Sequence, residues 1–345
     1  MGYTYIFGLM IAIISALGCW LVLGVVLKYW YHVLPFDIPN KRSSHTKPIF
    51  KGGGIVIAGI VTIVSFGLMA KFEGMQRIFL AFSLCVIVLS ALGWLDDLTR
   101  VGIRTKLIVE SVVGAIILWL IQPGSQIQLI TGSIIELTPL IAAPLALFWI
   151  VWITNVYNFM DGIDGFAASQ AVLSSIVIAG WFLFYGDIGV ALLCLALAGA
   201  GVGFLFFNWA PARIFLGDAG SLTLGSVFAL LAVYGTSVHQ IPVNAFLLLY
   251  GVFLLDATVT LGRRFLNRER WWEGHASHFY QRAVRSGIGH ASVSIGALLL
   301  TGCLAFLGTL DILGIGSGLV WFFLGLLLLL MTTILVRIYE KNFEL

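Results

Sequence analysis

Long apolar runs recur along the whole chain, and they decide what it can fold into. A bilayer core takes about 20 apolar residues per helix. Runs of that kind fall near residues 6–27, 55–70, 77–95, 106–121, 140–154, 166–185, 188–207, 221–234, 243–261, 291–309 and 314–336. Of 345 residues, 60% are hydrophobic and only 10% charged, against about 25% charged in soluble domains. Such a chain has too little polar surface to face water. Lipid must be its solvent, and its backbone must be satisfied within helices. The expectation is an all-α fold: one polytopic transmembrane helical bundle over residues 1–345, with eleven spans, or ten if a short run fails. The runs at 55–70, 140–154 and 221–234 are short, so they recruit flanking small residues or enter from a re-entrant turn. Cys19, Cys85, Cys194 and Cys303 sit in apolar runs without metal-ligand spacing and read as packing residues.

An odd number of spans puts the termini on opposite sides. With the N-terminus outside, Lys71 and Arg77 are the only outer cations among 19 Lys and Arg. That asymmetry satisfies the positive-inside rule and makes the C-terminus cytoplasmic. The inner loops are then 28–54, 96–106, 155–165, 208–220 and 262–290, and each holds a polar cluster. The outer segment 122–139 carries one charge, Glu136, and reads as an inert connector. Within the spans, Asp256 stands out as the charged exception.

Residues 35–54 are basic and end in Gly52, Gly53 and Gly54 ahead of a helix. Backbone N–H groups at such a start, with Arg42 and Lys47 nearby, suit phosphate; an ordinary basic loop on acidic lipid is the plainer alternative. Asp96 and Asp97 end an apolar helix, where adjacent carboxylates repel unless a cation offsets them. Asn155, Asn158, Asp161 and Asp164 recur every third residue and would form a polar stripe on a helix. Asp218 lies between glycines before the next span, a place for a hard-metal ligand or a helix cap. His275 and His278 would share a helix face, with Arg263, Arg264, Arg268, Arg270, Arg282, Arg285, Trp271 and Trp272 in the same segment at headgroup level.

Carboxylates without thiolates favour Mg²⁺, with Mn²⁺ as the alternative, over zinc. Mg²⁺ takes one or two carboxylates and completes its shell with substrate phosphates. Arg, Lys and His around such an ion are the general furniture of phosphoryl transfer. These clusters therefore point to phosphate or diphosphate chemistry at the inner membrane surface, and nothing in them suggests nucleic acid.

Five motifs in order carry a more specific resemblance: Asp37-Ile-Pro-Asn-Lys-Arg-Ser-Ser-His45, Asp96-Asp97, Asn155-x-x-Asn158-x-x-Asp161-Gly-Ile-Asp164-Gly, Phe215-Leu-Gly-Asp218-Ala-Gly-Ser221 and His275-Ala-Ser-His278. Over residues 35–285 the chain resembles the polyprenyl-phosphate N-acetylhexosamine-1-phosphate transferases, glycosyltransferase family 4. The resemblance implies transfer of a sugar-1-phosphate from a UDP-N-acetylamino sugar to undecaprenyl phosphate, with release of UMP and dependence on Mg²⁺. It implies Asp96, Asp97, Asp161 and Asp164 as catalytic carboxylates and Asp218 with Asp97 as metal ligands. It implies substrate contacts from Asn40, Arg42, His45, Lys47, Asn155, Asn158, His275, His278 and Arg282. It further implies a bacterial inner-membrane enzyme with a cytoplasmic site, embedded among membrane lipids; whether it forms a homodimer is open. The His-x-x-His spacing differs from the compact histidine run of the peptidoglycan branch. It looks more like the branch that initiates O-antigen and other surface glycans on GlcNAc or on 6-deoxy sugars such as FucNAc and QuiNAc.

Rival classes fit less well. A transporter would place its polar breaks near the bilayer midplane. A CDP-alcohol phosphotransferase lacks its acidic signature here, and Arg100 interrupts the Asp-rich motif of a prenyl synthase.

Overall fold

The computed structural model describes residues 2–39, 47–129, 132–270 and 275–343. Every expected span is helical in it. In chain order these are α1 (Gly2–Tyr29), α2 (Gly54–Lys71), α3 (Gln76–Thr99), α4 (Ile103–Ile121), α5 (Pro139–Phe159), α6 (Phe166–Phe184), α7 (Ile188–Asn208), α8 (Gly217–Val238), α9 (Val243–Leu249), α10 (Gly251–Leu266), α11 (Phe279–Arg285), α12 (His290–Ile312) and α13 (Gly318–Phe343). Among the described residues, nine helices are long and apolar enough to cross a membrane, or ten if the pair α9–α10 counts as one span. The chain is a multi-pass membrane protein. The remaining expected span, α4, carries Arg104, Lys106 and Glu110 within its 19 residues. The expectation that Asp256 is the charged exception within the apolar runs is therefore corrected, because Glu110 lies inside the run at 106–121.

Two short hairpins qualify the all-α expectation. β1 (Phe36–Asp37) pairs antiparallel with β2 (Ile49–Phe50), and β3 (Gln126–Gln128) with β4 (Ile134–Glu136). The second hairpin occupies the segment read as a plain connector. The first is tied to the bundle, since the Phe215 amide donates to the Phe50 carbonyl at 2.7 Å.

The most enclosed helix is α8, which packs against α2, α3 and α5. A helix apolar on all sides needs protein on all sides, and glycines let its neighbours come close. A Cβ on Gly54 of α2 would stand 2.1 Å from the Gly220 Cα, and one on Gly93 of α3 would stand 2.2 Å from the Asp218 carbonyl oxygen. Small residues of this kind permit backbone contact between spans where no hydrophobic force drives association. The two contacts fix the start of α8 against the start of α2 and the end of α3. Elsewhere α7 is clasped by α1 and α6, while α12 and α13 form an outer layer on α9. The span α9–α10 bends by 76° at Tyr250, whose hydroxyl donates to the Phe228 carbonyl of α8 at 3.0 Å.

The Gly93 contact is testable. Gly93→Ala overpacks backbone against backbone and should destabilise by about 1–3 kcal/mol, read as a lower melting temperature in detergent. Gly59 of α2 has open space where a Cβ would stand, so Gly59→Ala should be neutral or slightly stabilising in the same assay.

Candidate active site

At the loop-rich end of the bundle, three aspartates and two lysines from four elements meet. Asp96 and Asp97 come from the last turn of α3, Asp218 from the first turn of α8, Lys106 from the first turn of α4, and Lys51 from the strand-to-helix turn before α2. Lys106 Nζ lies 2.6 Å from Asp96 Oδ2 and 2.8 Å from Asp218 Oδ2. Lys51 Nζ lies 2.8 Å from Asp97 Oδ1 and 3.9 Å from Asp218 Oδ1. Burial alone would lower the Lys51 pKa, but Asp97 and Asp218 outweigh it and hold the ammonium above its usual value.

Asp97 has a second task. Its Oδ1 accepts the Asp218 amide at 3.1 Å and its Oδ2 the Ala219 amide at 3.3 Å. The first N–H groups of a helix need acceptors, and a carboxylate there also meets the positive end of the helix dipole. Asp97 thus caps α8 from another helix. Gly217 permits this approach: its φ is +74°, and a Cβ there would stand 2.5 Å from Asp97 Oδ2. The sequence expectation paired Asp97 with Asp218 at a metal. In the structure both Asp97 oxygens face α8 and Lys51, which reaches Asp218 only at 3.9 Å, while Asp96 and Asp218 share Lys106 at 2.6 and 2.8 Å.

The expected stripe from Asn155 to Asp164 holds for half its length. Asn155 and Asn158 share the last turns of α5, which ends at Phe159. Asp161 and Asp164 follow in the turn before α6, where Gly165 takes φ +71°. Asn158 Oδ1 accepts the Ser221 hydroxyl of α8 at 2.7 Å. Asn155 donates to Glu110 at 2.5 Å. Burial pushes the Asp161 carboxyl up to about 8; the nearby Asp218 adds to the rise and Lys51 opposes it. Asp164 turns away from the lysines. It accepts the Ala212 amide at 3.0 Å and meets His290 of α12 at 3.3 Å. Lys47 is likewise outside the carboxylate cluster. With Asp164, Arg213, His290 and Lys28 it lines an open cavity of about 1600 Å³ between α1, β2 and the start of α12.

The histidines do not share a helix face as expected, because α11 starts only at Phe279. His278 Nδ1 lies 2.9 Å from Asp256 Oδ1, and the Phe279 and Tyr280 amides donate to the same carboxylate at 3.0 and 3.1 Å. Asp256 of α10 therefore caps α11 and orients His278. Burial, reinforced by His278 and Arg264, pushes His275 down to about 4, so it is a neutral hydrogen-bonding group near pH 7. The Tyr280 hydroxyl donates to the Phe159 carbonyl at 3.0 Å, tying this loop to the Asp161 turn. Arg282, expected as a substrate contact, grips Glu340 of α13 through Nε at 2.6 Å and through its terminal nitrogen. The glycine amides do not all await phosphate either, since Gly53 and Gly54 donate to the Phe215 and Leu216 carbonyls at 3.0 and 2.9 Å. Asn40, Arg42 and His45 lie outside the described residues. Motif reading does not single out Lys51, Lys106 and Glu110, although a lysine set directly before three glycines and a lysine following a carboxylate pair are signals that could have found the first two.

The donor set suits a hard cation. Two oxygens from different helices, on Asp96 and Asp218, converge on one positive centre, and three carboxylates face only two ammonium groups. Among the described residues no three acidic, His or Cys side chains form a closed metal cage.

The sequence profile described as glycosyl transferase family 4 matches residues 79–236, the stretch from α3 to α8 that supplies all three aspartates. A probable undecaprenyl-phosphate N-acetylglucosaminyl 1-phosphate transferase of Bacillus subtilis (strain 168) is 29% identical over 325 residues, covering 92% of this chain and 87% of its own length. A phospho-N-acetylmuramoyl-pentapeptide-transferase of Clostridium perfringens (strain SM101 / Type A) is 28% identical over 256 residues, covering 70% of this chain and 76% of its own.

The Asp161 carboxyl gives a pH signature. Its value of about 8 is far above the usual 3.8, so between those limits the folded protein holds a proton that the unfolded chain has lost. Stability from this group is complete below pH 4 and is lost as pH rises through about 8. Asp161→Asn should flatten that fall in melting temperature relative to the parent protein.

Proposed function

The chain belongs to the polyprenyl-phosphate hexosamine-1-phosphate transferases of glycosyl transferase family 4, and from that premise we propose that it moves a sugar-1-phosphate from a UDP-N-acetylamino sugar to undecaprenyl phosphate. The observation that carries the reading is the linked set Asp96–Lys106–Asp218–Lys51–Asp97 at the basic end of a membrane bundle. Two phosphate groups must meet in this reaction, and both are anionic. A site that gathers them needs cations held rigidly at one level of the bilayer, and the lysines are held so by their aspartates.

In this reading Asp218 and Asp96 hold Mg²⁺. A bound ion would supply positive charge and Lewis acidity to the phosphates. Lys106 and Lys51 stay positive and draw the two phosphates to the same place. The acceptor phosphate has a second pKa near about 6 and is mostly dianionic at neutral pH, so it needs no strong base. One of its oxygens forms a bond to the sugar-bearing phosphorus, and the bond from that phosphorus to the bridging oxygen breaks, releasing UMP. Asp97 acts by positioning: it fixes the start of α8 and so the place of Asp218. Asp161 sits beside the attack site with its proton retained near neutrality, suited to donate a hydrogen bond to a phosphate oxygen. The large cavity beside Asp164, Lys47 and Arg213 offers a cationic pocket for the nucleotide.

The same reading places α4 among the spans, giving eleven crossings with the N-terminus outside and the site on the cytoplasmic side of a bacterial inner membrane. The histidine spacing favours the branch that starts O-antigen or related surface glycans, on GlcNAc or a 6-deoxy N-acetylamino sugar. A transporter is disfavoured because the carboxylates and lysines cluster at helix ends.

Purified protein with Mg²⁺, undecaprenyl phosphate and a panel of UDP-N-acetylamino sugars should release UMP with at least one of them. Silence across the panel refutes the proposal. Asp218→Asn should cost on the order of 100-fold or more in kcat. Exchange of labelled UMP into the UDP-sugar without lipid acceptor would replace direct attack by a covalent intermediate.

A further inference from the structure

Glu110 is the residue that the proposed reaction leaves unused and the fold does not need. It lies one turn beyond Lys106 on α4, 1% exposed. Ionisable groups inside a span are costly and need a reason. Structural acids in this protein have their oxygens occupied: Asp256 holds α11 and His278, and Asp97 holds α8 and Lys51. Glu110 differs. Its Oε2 accepts from Asn155 Nδ2 at 2.5 Å, while its Oε1 is buried without a partner.

The Asn155 side of this pair is informative. Asn155 Nδ2 also donates to the Val151 carbonyl at 2.9 Å. An amide nitrogen has two hydrogens, and these contacts use both. Which end of an amide is nitrogen is ordinarily an assignment, but here the partners force it. A peptide carbonyl can only accept, so the end that meets the Val151 carbonyl and Glu110 is the nitrogen. Asn155 Oδ1 is thereby turned away from both, and no donor among the described residues reaches it. Asn155 keeps part of its surface open, in the stretch of α5 that also carries Asn158.

We propose that Glu110 is a positioning residue that locks the Asn155 amide with its oxygen toward substrate, giving the site an acceptor-only edge that reads an O–H or N–H on the sugar of the nucleotide donor. The inference rests on the proposed transferase reaction. The sugar, and not the lipid, is the partner because of its hydrogens. Dianionic polyprenyl phosphate has no O–H or N–H to give, whereas an N-acetylamino sugar has hydroxyls and an amide N–H. Lys106, on the same face of α4, holds phosphate next to this edge, so the edge meets the part of the donor adjoining its diphosphate. A buried acceptor without its donor penalises an analogue that lacks the group, which is how polar sites achieve selectivity.

The experiment is calorimetric binding and steady-state kinetics on the full-length protein in detergent. The ligands are a UDP-sugar turned over by the parent protein and a series in which each sugar hydroxyl, or the acetamido N–H, is replaced singly. The parent protein should lose about 10- to 100-fold in affinity for one member of the series. In Glu110→Leu and Asn155→Leu that discrimination should collapse, with KM for the full UDP-sugar raised about 10-fold or more and KM for lipid phosphate unchanged. Glu110→Gln retains an acceptor oxygen for Asn155 and should restore most of the discrimination. The Glu110→Leu melting temperature should not fall, since an apolar residue of comparable size replaces a buried carboxyl group. If the parent binds and Glu110→Leu discriminates as the parent does, the positioning role is wrong and the transferase reading stands. An altered Mg²⁺ requirement with unchanged sugar KM would make Oδ1 a metal ligand and overturn the proposal. If the parent protein binds no UDP-sugar, both readings fall.

Discussion

The cap that Asp97 places on α8 is the interaction on which the rest of the site depends. A helix that starts inside a membrane protein exposes N–H groups that water cannot reach, and each one left bare costs free energy. Here α8 begins where three other spans crowd it, so its cap must come from a neighbour. Asp97 supplies both oxygens to the Asp218 and Ala219 amides. The glycines at 93 and 217 are the condition for that contact, because a side chain at either would separate α3 from α8. Once the two ends are joined, Asp96 and Asp218 lie across one ammonium group. The capping bond and the geometry of the carboxylate cluster are one arrangement.

Burying three carboxylates together would be prohibitive if they stood alone. The lysines make it tolerable, and each does so between two helices and not within one. Lys106 spans α3 and α8 through α4, and Lys51 joins the β2–α2 turn to the same pair. The polar network therefore acts as a tie across four elements at a level where apolar packing cannot specify position, since lipid and leucine are nearly equivalent neighbours. A divalent ion shared by Asp96 and Asp218 would join this tie without requiring a new cage.

The spans and the five polar loops were legible in the sequence because both are local signals: apolar length and a cluster within a few residues. What the sequence hid was long-range. Arg282 looked free until Glu340, 58 positions away, took it. Asp164 had the same spacing as its neighbours, but α5 stops at Phe159 and the turn sends it toward Ala212 and His290. Glu110 was invisible for another reason. An average over an apolar run dilutes a single acid, and only its contact with Asn155 gives it meaning. The lysines were missed because cations near a membrane surface are expected for orientation alone.

The bent span shows how the bilayer side and the chemical side are joined. A straight helix through residues 243–266 would carry Asp256 along the span axis. The 76° bend at Tyr250 turns α10 so that Asp256 reaches the start of α11. Three contacts then land on one carboxylate, from His278 and from two amides. Tyr280 carries the connection on to Phe159 at the end of α5, one residue before the turn that holds Asp161. At its other end α10 leaves Phe265 and Leu266 exposed, as a segment meeting acyl chains would. Asp256, His278, Tyr280 and Phe159 thus form one run of hydrogen bonds from α10 to the Asp161 turn. The broken helix is for that reason better understood as part of the site's frame than as a defect in a span.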